Sequence, residues 1–361
     1  MQDTTKHVLV TIGFIGIIMT VLIANILTQD KTVSITERRK LAQLPEITVD
    51  SLLEGKVAKQ WESYTVDQFI ARDWLRSIHA FSSRYLFGQQ DTHQLFEKDG
   101  GIYSMEYPLK ERNVQIAAEK MNHVYQQYLQ GMDVYYAVIP DKNYYLENDS
   151  HLKMDYAALQ TILQENLPHM QYIHIWDSLT LEDYYKTDLH WKQENLQPVV
   201  QTIQQEMQVT DTSDTVYNIE EKGDFYGAYY GQLGVAVPPD TLSIITNPII
   251  ENCVTYNYET KKTGKIYMAP TSADAYDTYL SGATPLIAIE NPNANTDKEL
   301  LLFRDSFGSS LAPWLVENYK KITLIDLRYM SSSLLPEYIQ FHDQDVLFLY
   351  STVILNQNAW K

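Results

Sequence analysis

A single cysteine, Cys253, stands in a chain of 361 residues. One thiol makes no intrachain disulfide and no cysteine-based zinc site, so any folded part is held by its core alone. Basic residues are scarce too: 28 Lys and Arg face 46 Asp and Glu, a net charge of −18. No basic stripe offsets that excess. An acidic surface repels a phosphate backbone, which argues against nucleic acid as a partner. Internal repeats and low-complexity tracts are absent. What is present is ordinary for a globular protein: 45% hydrophobic and 20% charged residues, on a length that buries a sizeable core.

The run "VLVTIGFIGIIMTVLIANIL", residues 8–27, has no charge at all. A helix of that length matches the roughly 30 Å hydrocarbon core of a bilayer. A secretory signal has a shorter apolar core and a small-residue cleavage site, and the exit "ANILTQD" offers none. The expected organisation is a cytoplasmic tail over 1–7, a transmembrane anchor over 8–27, a juxtamembrane segment over 28–58 and a folded domain over 59–361. Charge alone orients the domain inward, since Lys6 precedes the run whereas Lys31, Arg38, Arg39 and Lys40 follow it.

Along the rest of the chain the pattern alternates between strand and helix. Ser34 and Glu37 have the spacing of a capping box. Mixed three- and four-residue apolar steps from Leu52 to Phe87 predict packed helices. "QLFEKDGGIYS" predicts a hairpin around Asp99-Gly100-Gly101. Val134 to Ile139 and "YIHIWDSL" (172–179) predict strands buried on both faces, with a helix between them. Residues 216–285 are rich in Tyr, Thr, Val and Ile and predict an antiparallel β insertion. "KELLLF", "ITLIDL" and "DVLFLYSTVIL" predict further buried strands. The fold class is α/β.

Two stretches carry candidate chemistry. In "LLLFRDSFGSSLAPWLVENY" a buried strand ends at Phe303, and a polar turn with Ser306 leads into a helix. Reactive groups gather at the carboxyl ends of strands in such sheets. The alternative is that Ser306, Ser309 or Ser310 merely caps the helix. A nucleophilic serine needs a base, usually histidine, and a group that orients it. Of nine histidines, His190 has Asp188 two positions before it. In an extended segment both side chains share a face, leaving one imidazole nitrogen for Ser306 and Trp191 to wall the site. The alternative is a polar surface turn. A metal hydrolase built on His190 and Glu194 lacks further well-placed ligands, and no metal or other cofactor is expected.

Together the two stretches resemble a known family. "KTDLHW" with "LLLFRDSFGSSLAPWL" is similar to the DHHW proteins and to the related alginate O-acetyltransferases, which are SGNH-hydrolase-like. "SITERRKLAQLPEIT", "DQFIARD", "YAVIPDKNYYL", "GDFYGAYYG" and "DLRYM" resemble further elements of the same pattern. The resemblance implies a three-layer α/β sandwich with a mainly parallel sheet behind an N-terminal membrane helix. It implies Ser306 as nucleophile, His190 as general base and Asp188 as its orienter. The backbone N–H of Ser306 would be one oxyanion donor. Arg328, Tyr350 and Asn356 are further oxyanion or substrate-binding candidates from their places at or after strand ends, with Lys142, Tyr145 and Trp191 beside them. The sequence departs from the family name at Leu189, where a first histidine would stand.

The resemblance also implies that the domain lies outside the cytoplasm, against the weak charge rule, because large domains translocate largely regardless of local charge. The expected activity is serine O-acetyltransfer or ester hydrolysis on a cell-surface or secreted polysaccharide, with a membrane-bound O-acyltransferase as partner. The competing expectation is a non-catalytic glycan-binding or scaffold protein whose tyrosines line a sugar groove.

Overall fold

The computed structural model of the protein describes residues 2–34, 39–48, 51, 55–82, 91, 94–147, 151–209, 214–234, 237–270, 274–357 and 359–360. Glu37, and with it the capping box expected from Ser34, lies outside the described residues. The chain divides into two compact units, residues 1–90 with 234–236, and residues 91–233 with 237–361.

The first unit begins with helix α1 (Gln2–Leu27). Its Thr5–Leu27 stretch is 23 residues long with a mean hydropathy of 2.4, and none of it is buried within the protein. That is long and apolar enough to cross a membrane. After a short strand pair, β1 (Val33–Ser34) and β2 (Arg39–Lys40), come helices α2 (Lys56–Asp67) and α3 (Arg72–Phe81). The corner between them is tied to the preceding loop. Asp67 accepts both Arg39 guanidinium N–H groups at 2.9 and 2.6 Å and the Ala42 N–H at 2.8 Å. The Arg39 hydrogen bond, foremost, holds the Asp67 carboxyl down to about 2. The Gln68 amide donates to the carbonyls of Lys31 and Ala42 and accepts the Lys31 N–H.

The second unit opens with the expected hairpin, β3 (Leu95–Lys98) and β4 (Gly101–Ser104). Asp99 and Gly100 both take positive φ, 51° and 76°, as a two-residue hairpin turn requires. Its core is an eight-stranded sheet in the order β10-β9-β11-β13-β12-β14-β5-β6. The strands are β5 (Val134–Ile139), β6 (Gln171–Ile173), β9 (Val254–Asn257), β10 (Lys262–Gly264), β11 (Leu286–Glu290), β12 (Glu299–Arg304), β13 (Lys321–Ile325) and β14 (Asp345–Ser351). From β13 to β6 every pairing is parallel, and beyond β13 the pairings with β11, β9 and β10 are antiparallel. Every residue of β5, and all but the first of β12 and β14, is buried. Strands buried along their length need cover on both faces, which makes the unit three-layered. Helices α4 (Glu111–Val124), α5 (Tyr156–Asn166) and α6 (Gln197–Glu206) contribute buried apolar stripes to this core. The α/β class expected from the sequence is the class observed.

Three elements differ from expectation for local reasons. Residues 172–179 hold a strand only to Ile173. Trp176 then turns in a 3₁₀ helix and donates its indole N–H to the Val138 carbonyl at 2.8 Å. The β-rich stretch divides: β7 (Asn218–Phe225) and β8 (Asp240–Thr246) form a separate ribbon, whereas β9 and β10 extend the main sheet. The helix after Ser306, α8 (Phe307–Leu311), gives way to a 3₁₀ turn at Ala312–Leu315, where Pro313 supplies no N–H and its ring crowds the preceding turn. Two more short helices are α7 (Ala228–Leu233) and α9 (Thr352–Leu355).

Candidate active site

The parallel strands β13, β12, β14 and β5 end on one rim of the sheet, and Ser306 follows β12 there. It occupies the N-cap of α8 but makes no capping bond. Asp305 takes that role instead. One of its carboxylate oxygens accepts the Phe307 N–H at 3.0 Å, and the other accepts the Ser351 N–H from β14 at 2.8 Å. The turn is tight because Gly308 lies against β12: a Cβ there would meet Arg304 Cβ at 2.6 Å. Relieved of capping, the Ser306 hydroxyl is free to point elsewhere, and no acceptor among the described residues takes its own N–H.

The hydroxyl meets His190. Ser306 Oγ lies 2.7 Å from Nε2, and Nδ1 lies 2.6 Å from Asp188 Oδ1. An ionised carboxylate only accepts, so the ring proton belongs on Nδ1 and Nε2 presents a lone pair to the hydroxyl. The imidazole stacks on the Tyr276 ring at 3.9 Å between centroids and tilts against Phe307 at 4.7 Å. Asp188 is fully buried and His190 is 5% exposed, while Ser306 is half-buried. The serine is therefore the member that faces solvent.

The Asp188–His190 segment is not extended, as the sequence suggested, but bent. Asp188 Oδ1 also accepts the His190 N–H at 3.0 Å, the side-chain-to-backbone bond with which Asp commonly stabilises a turn. The loop closes where the Tyr185 N–H donates to the His190 carbonyl at 3.0 Å. Asp188 Oδ2 accepts the Ala228 N–H at 2.6 Å, at the start of α7. Gly227 permits that approach, since a Cβ there would meet Asp188 Cβ at 2.3 Å and the Thr187 carbonyl at 2.4 Å. Asp240 holds the other side, accepting the N–H groups of Lys186 and Thr187 at 2.8 Å each and the Thr187 hydroxyl at 2.6 Å.

Lys142 fills the loop. Its ammonium donates to the carbonyls of Tyr185 (2.9 Å), Lys186 (3.1 Å) and Asp188 (2.8 Å), with the rings of Tyr103 and Tyr229 about it. Burial pushes its pKa down to about 7, against the pull of the Asp188 and Asp240 carboxylates. Lys142 thus touches the loop that carries Asp188 rather than Ser306. Trp191 is fully buried and does not wall an open site. Its indole N–H donates to Ser310 Oγ at 2.8 Å, fastening the histidine loop to α8.

None of the remaining candidates hydrogen-bonds the serine among the described residues. Arg328 turns back on Asp326 with bonds of 2.9 and 2.7 Å. The Asn356 carboxamide accepts the Lys110 N–H at 2.7 Å, at the N-cap of α4, and donates to the Pro108 carbonyl at 3.1 Å. The Tyr145 hydroxyl donates to the Trp176 carbonyl at 2.8 Å. Tyr350 is buried edge-on to Trp360. Leu189, in the place of the family's extra histidine, packs on the core. Among the described residues no group of three His, Cys, Asp or Glu is placed to hold a metal ion.

Sequence reasoning missed Asp305, Gly227, the Ala228 N–H, Asp240 and Tyr276. Gly227 and Ala228 lie inside the quoted "GDFYGAYYG", so a signal existed without a role attached. Tyr276 had none to distinguish it from 26 other tyrosines.

Fold and site together define an α/β protein with a hydrogen-bonded Ser–His–Asp chain on the rim of a largely parallel sheet. The family model described as DHHW protein matches residues 168–325, a span that contains all three residues of that chain. A DHHW family protein from Eubacterium siraeum superposes with a TM-score of 0.61 at 20% identity, covering 74% of this chain and 94% of its own. Bacillus cereus PatB1 superposes with a TM-score of 0.59 at 21% identity, covering 74% and 98%. Its structure with a sulfonyl adduct gives 0.57 at 20% identity, covering 74% and 99%. No curated protein matches in sequence. The resemblance to DHHW proteins, read from the motifs, is borne out.

Proposed function

We propose that the protein is a serine O-acetyltransferase or esterase that acts on a cell-envelope or secreted polysaccharide, anchored by α1 with its folded domain outside the cytoplasm. The observation that carries this reading is the unbroken chain from Ser306 Oγ through His190 to Asp188, at 2.7 and 2.6 Å. Ser306 attacks the carbonyl carbon of an acetyl ester while Nε2 takes its proton, and the Asp188 carboxylate stabilises the imidazolium that forms. The Ser306 N–H is an oxyanion donor, since no acceptor among the described residues takes it. Collapse expels the donor alcohol, which takes the proton back from Nε2 and leaves acetyl on Ser306. A sugar hydroxyl or water, deprotonated by the same nitrogen, then attacks the acetyl carbon; the bond to Ser306 Oγ breaks, and Oγ takes the proton back from Nε2. A membrane-bound O-acyltransferase would supply the acetyl group at the membrane surface.

Anchoring is supported by the length and apolarity of α1. The polysaccharide is supported by the family resemblance. Ser306→Ala should lower hydrolysis of p-nitrophenyl acetate by at least about 10³-fold with an unchanged melting temperature. A variant that keeps wild-type turnover contradicts the assignment.

A further inference from the structure

The first unit leaves a set of large apolar side chains uncovered beside the end of α1. On α3, Trp74 is 65% exposed, Leu75 45% and Ile78 41%. Ile78 lies four residues from Trp74 and three from Leu75, the offsets that make helix neighbours, so the three share one face. Asp73 is exposed on the other side, and Ser77 is exposed at the edge of that face. A polar protein surface seldom presents tryptophan, leucine and isoleucine side by side without something to cover them.

Their position says what covers them. The Ile70 N–H donates at 2.8 Å to the side-chain carbonyl of Asn25, in the last turn of α1. Asn25 is two residues from the helix end at Leu27, about 3 Å along the axis at the usual rise. Residue 70 is therefore level with the point where α1 leaves the apolar layer, and α3 starts two residues later. The corner that launches α3 does not swing freely, because Asp67 is held by Arg39 and Ala42 and Gln68 by Lys31 and Ala42. Ile70 at that corner is itself 50% exposed. A short amphipathic helix with tryptophan on its apolar face, fixed at the level of a membrane boundary, fits the lipid headgroup region.

We propose that α3 is an in-plane helix on the membrane surface. Its Trp74, Leu75 and Ile78 sink into the headgroup boundary of the leaflet from which α1 emerges. The inference rests on α1 being an uncleaved anchor. With α3 lying in the interface, α1 is not a loose tether: the chain leaves the bilayer through a fixed corner.

The test is site-directed spin labelling of the full chain in phosphatidylcholine–phosphatidylglycerol vesicles. Nitroxides are placed on Trp74→Cys, Leu75→Cys, Ile78→Cys, Asp73→Cys and Ser77→Cys, and on Ile18→Cys within α1. The native Cys253 can stay, because it is buried and burial pushes its thiol up to about 12. The expected result is a ratio of oxygen to water-soluble nickel-chelate collisions several-fold higher at 74, 75 and 78 than at 73, with 77 between them, and approaching that at 18. Equal ratios at all five α3 positions overturn the proposal. So does shielding of 74, 75 and 78 from both reagents, which would mean a protein face or a second copy covers them. A lipid-like Ile18 with aqueous α3 labels defeats this proposal alone, whereas an aqueous Ile18 defeats the anchor reading itself.

Discussion

Asp188→Asn changes one atom and keeps the shape, so it isolates what the carboxylate does. Three donors converge on that carboxylate: His190 Nδ1–H at 2.6 Å, the His190 N–H at 3.0 Å and the Ala228 N–H at 2.6 Å. An asparagine has one accepting oxygen and one donating nitrogen, and neither rotamer satisfies all three. With the oxygen toward His190, the amide nitrogen faces the Ala228 N–H. That buried donor pair costs about 1–3 kcal/mol of stability. With the amide turned over, its N–H₂ faces Nδ1 and forces the ring proton onto Nε2. The base then has no lone pair for Ser306, and loss of the right tautomer costs about 10⁴-fold in kcat elsewhere. The predicted variant therefore folds, melts a few degrees lower, and hydrolyses p-nitrophenyl acetate about 10³- to 10⁴-fold more slowly with KM little changed. A turnover number within tenfold of wild type would refute the role given to Asp188.

Other outcomes follow from the same geometry. Lys142→Met removes the donor shared by three loop carbonyls and should cost about 10²-fold in kcat through misplacement of Asp188; wild-type kcat would show that the loop stands without it. Burial also lowers the Lys142 pKa from 10.5 to about 7. Between those values the unfolded chain holds a proton that the folded chain has released, so stability rises with pH across that window. Chemical denaturation at pH 7 and pH 10 should show that rise in wild type and a smaller one in Lys142→Met; equal slopes would contradict it. Gly227→Ala drives a Cβ into Asp188 and the Thr187 carbonyl and should cost about 1–3 kcal/mol together with most of the activity, read by denaturation and by the ester assay. Unchanged stability and activity would mean that the 227–228 turn does not set the position of Asp188.

The sequence disclosed the three residues of the proposed site and hid most of what holds them. Ser306 was legible because a buried strand followed by a polar turn and a helix is a local pattern. Asp188 and His190 became legible only when paired with it. The groups that fix the geometry come together through tertiary approach, which local pattern does not encode. Ala228 reaches Asp188 from 40 residues away in sequence, with Gly227 beside it, and Asp240 reaches Thr187 from 53. Position at a strand end was a weaker guide than it looked. It placed Arg328 near the rim, but the guanidinium turned back on Asp326. It brought in Asn356, whose amide instead ties down the start of α4. Its place beside His190 in sequence suggests Trp191 as a site wall, yet Trp191 points into the core. The fold was legible where strands are continuous apolar runs, as in β5, β12 and β14. It was less so where one side chain redirects the backbone, as Trp176 and Pro313 do.

The account rests on acetyl residing on Ser306 between donor and acceptor. Rapid acid quench of the full-length protein with p-nitrophenyl acetate, followed by peptide mass spectrometry, reads that directly. The prediction is an acetyl increment on the peptide carrying Ser306 in wild type, absent from Ser306→Ala and strongly reduced when His190 is replaced by Ala. Acetylation elsewhere in the chain, or turnover by Ser306→Ala at the wild-type rate, would contradict it.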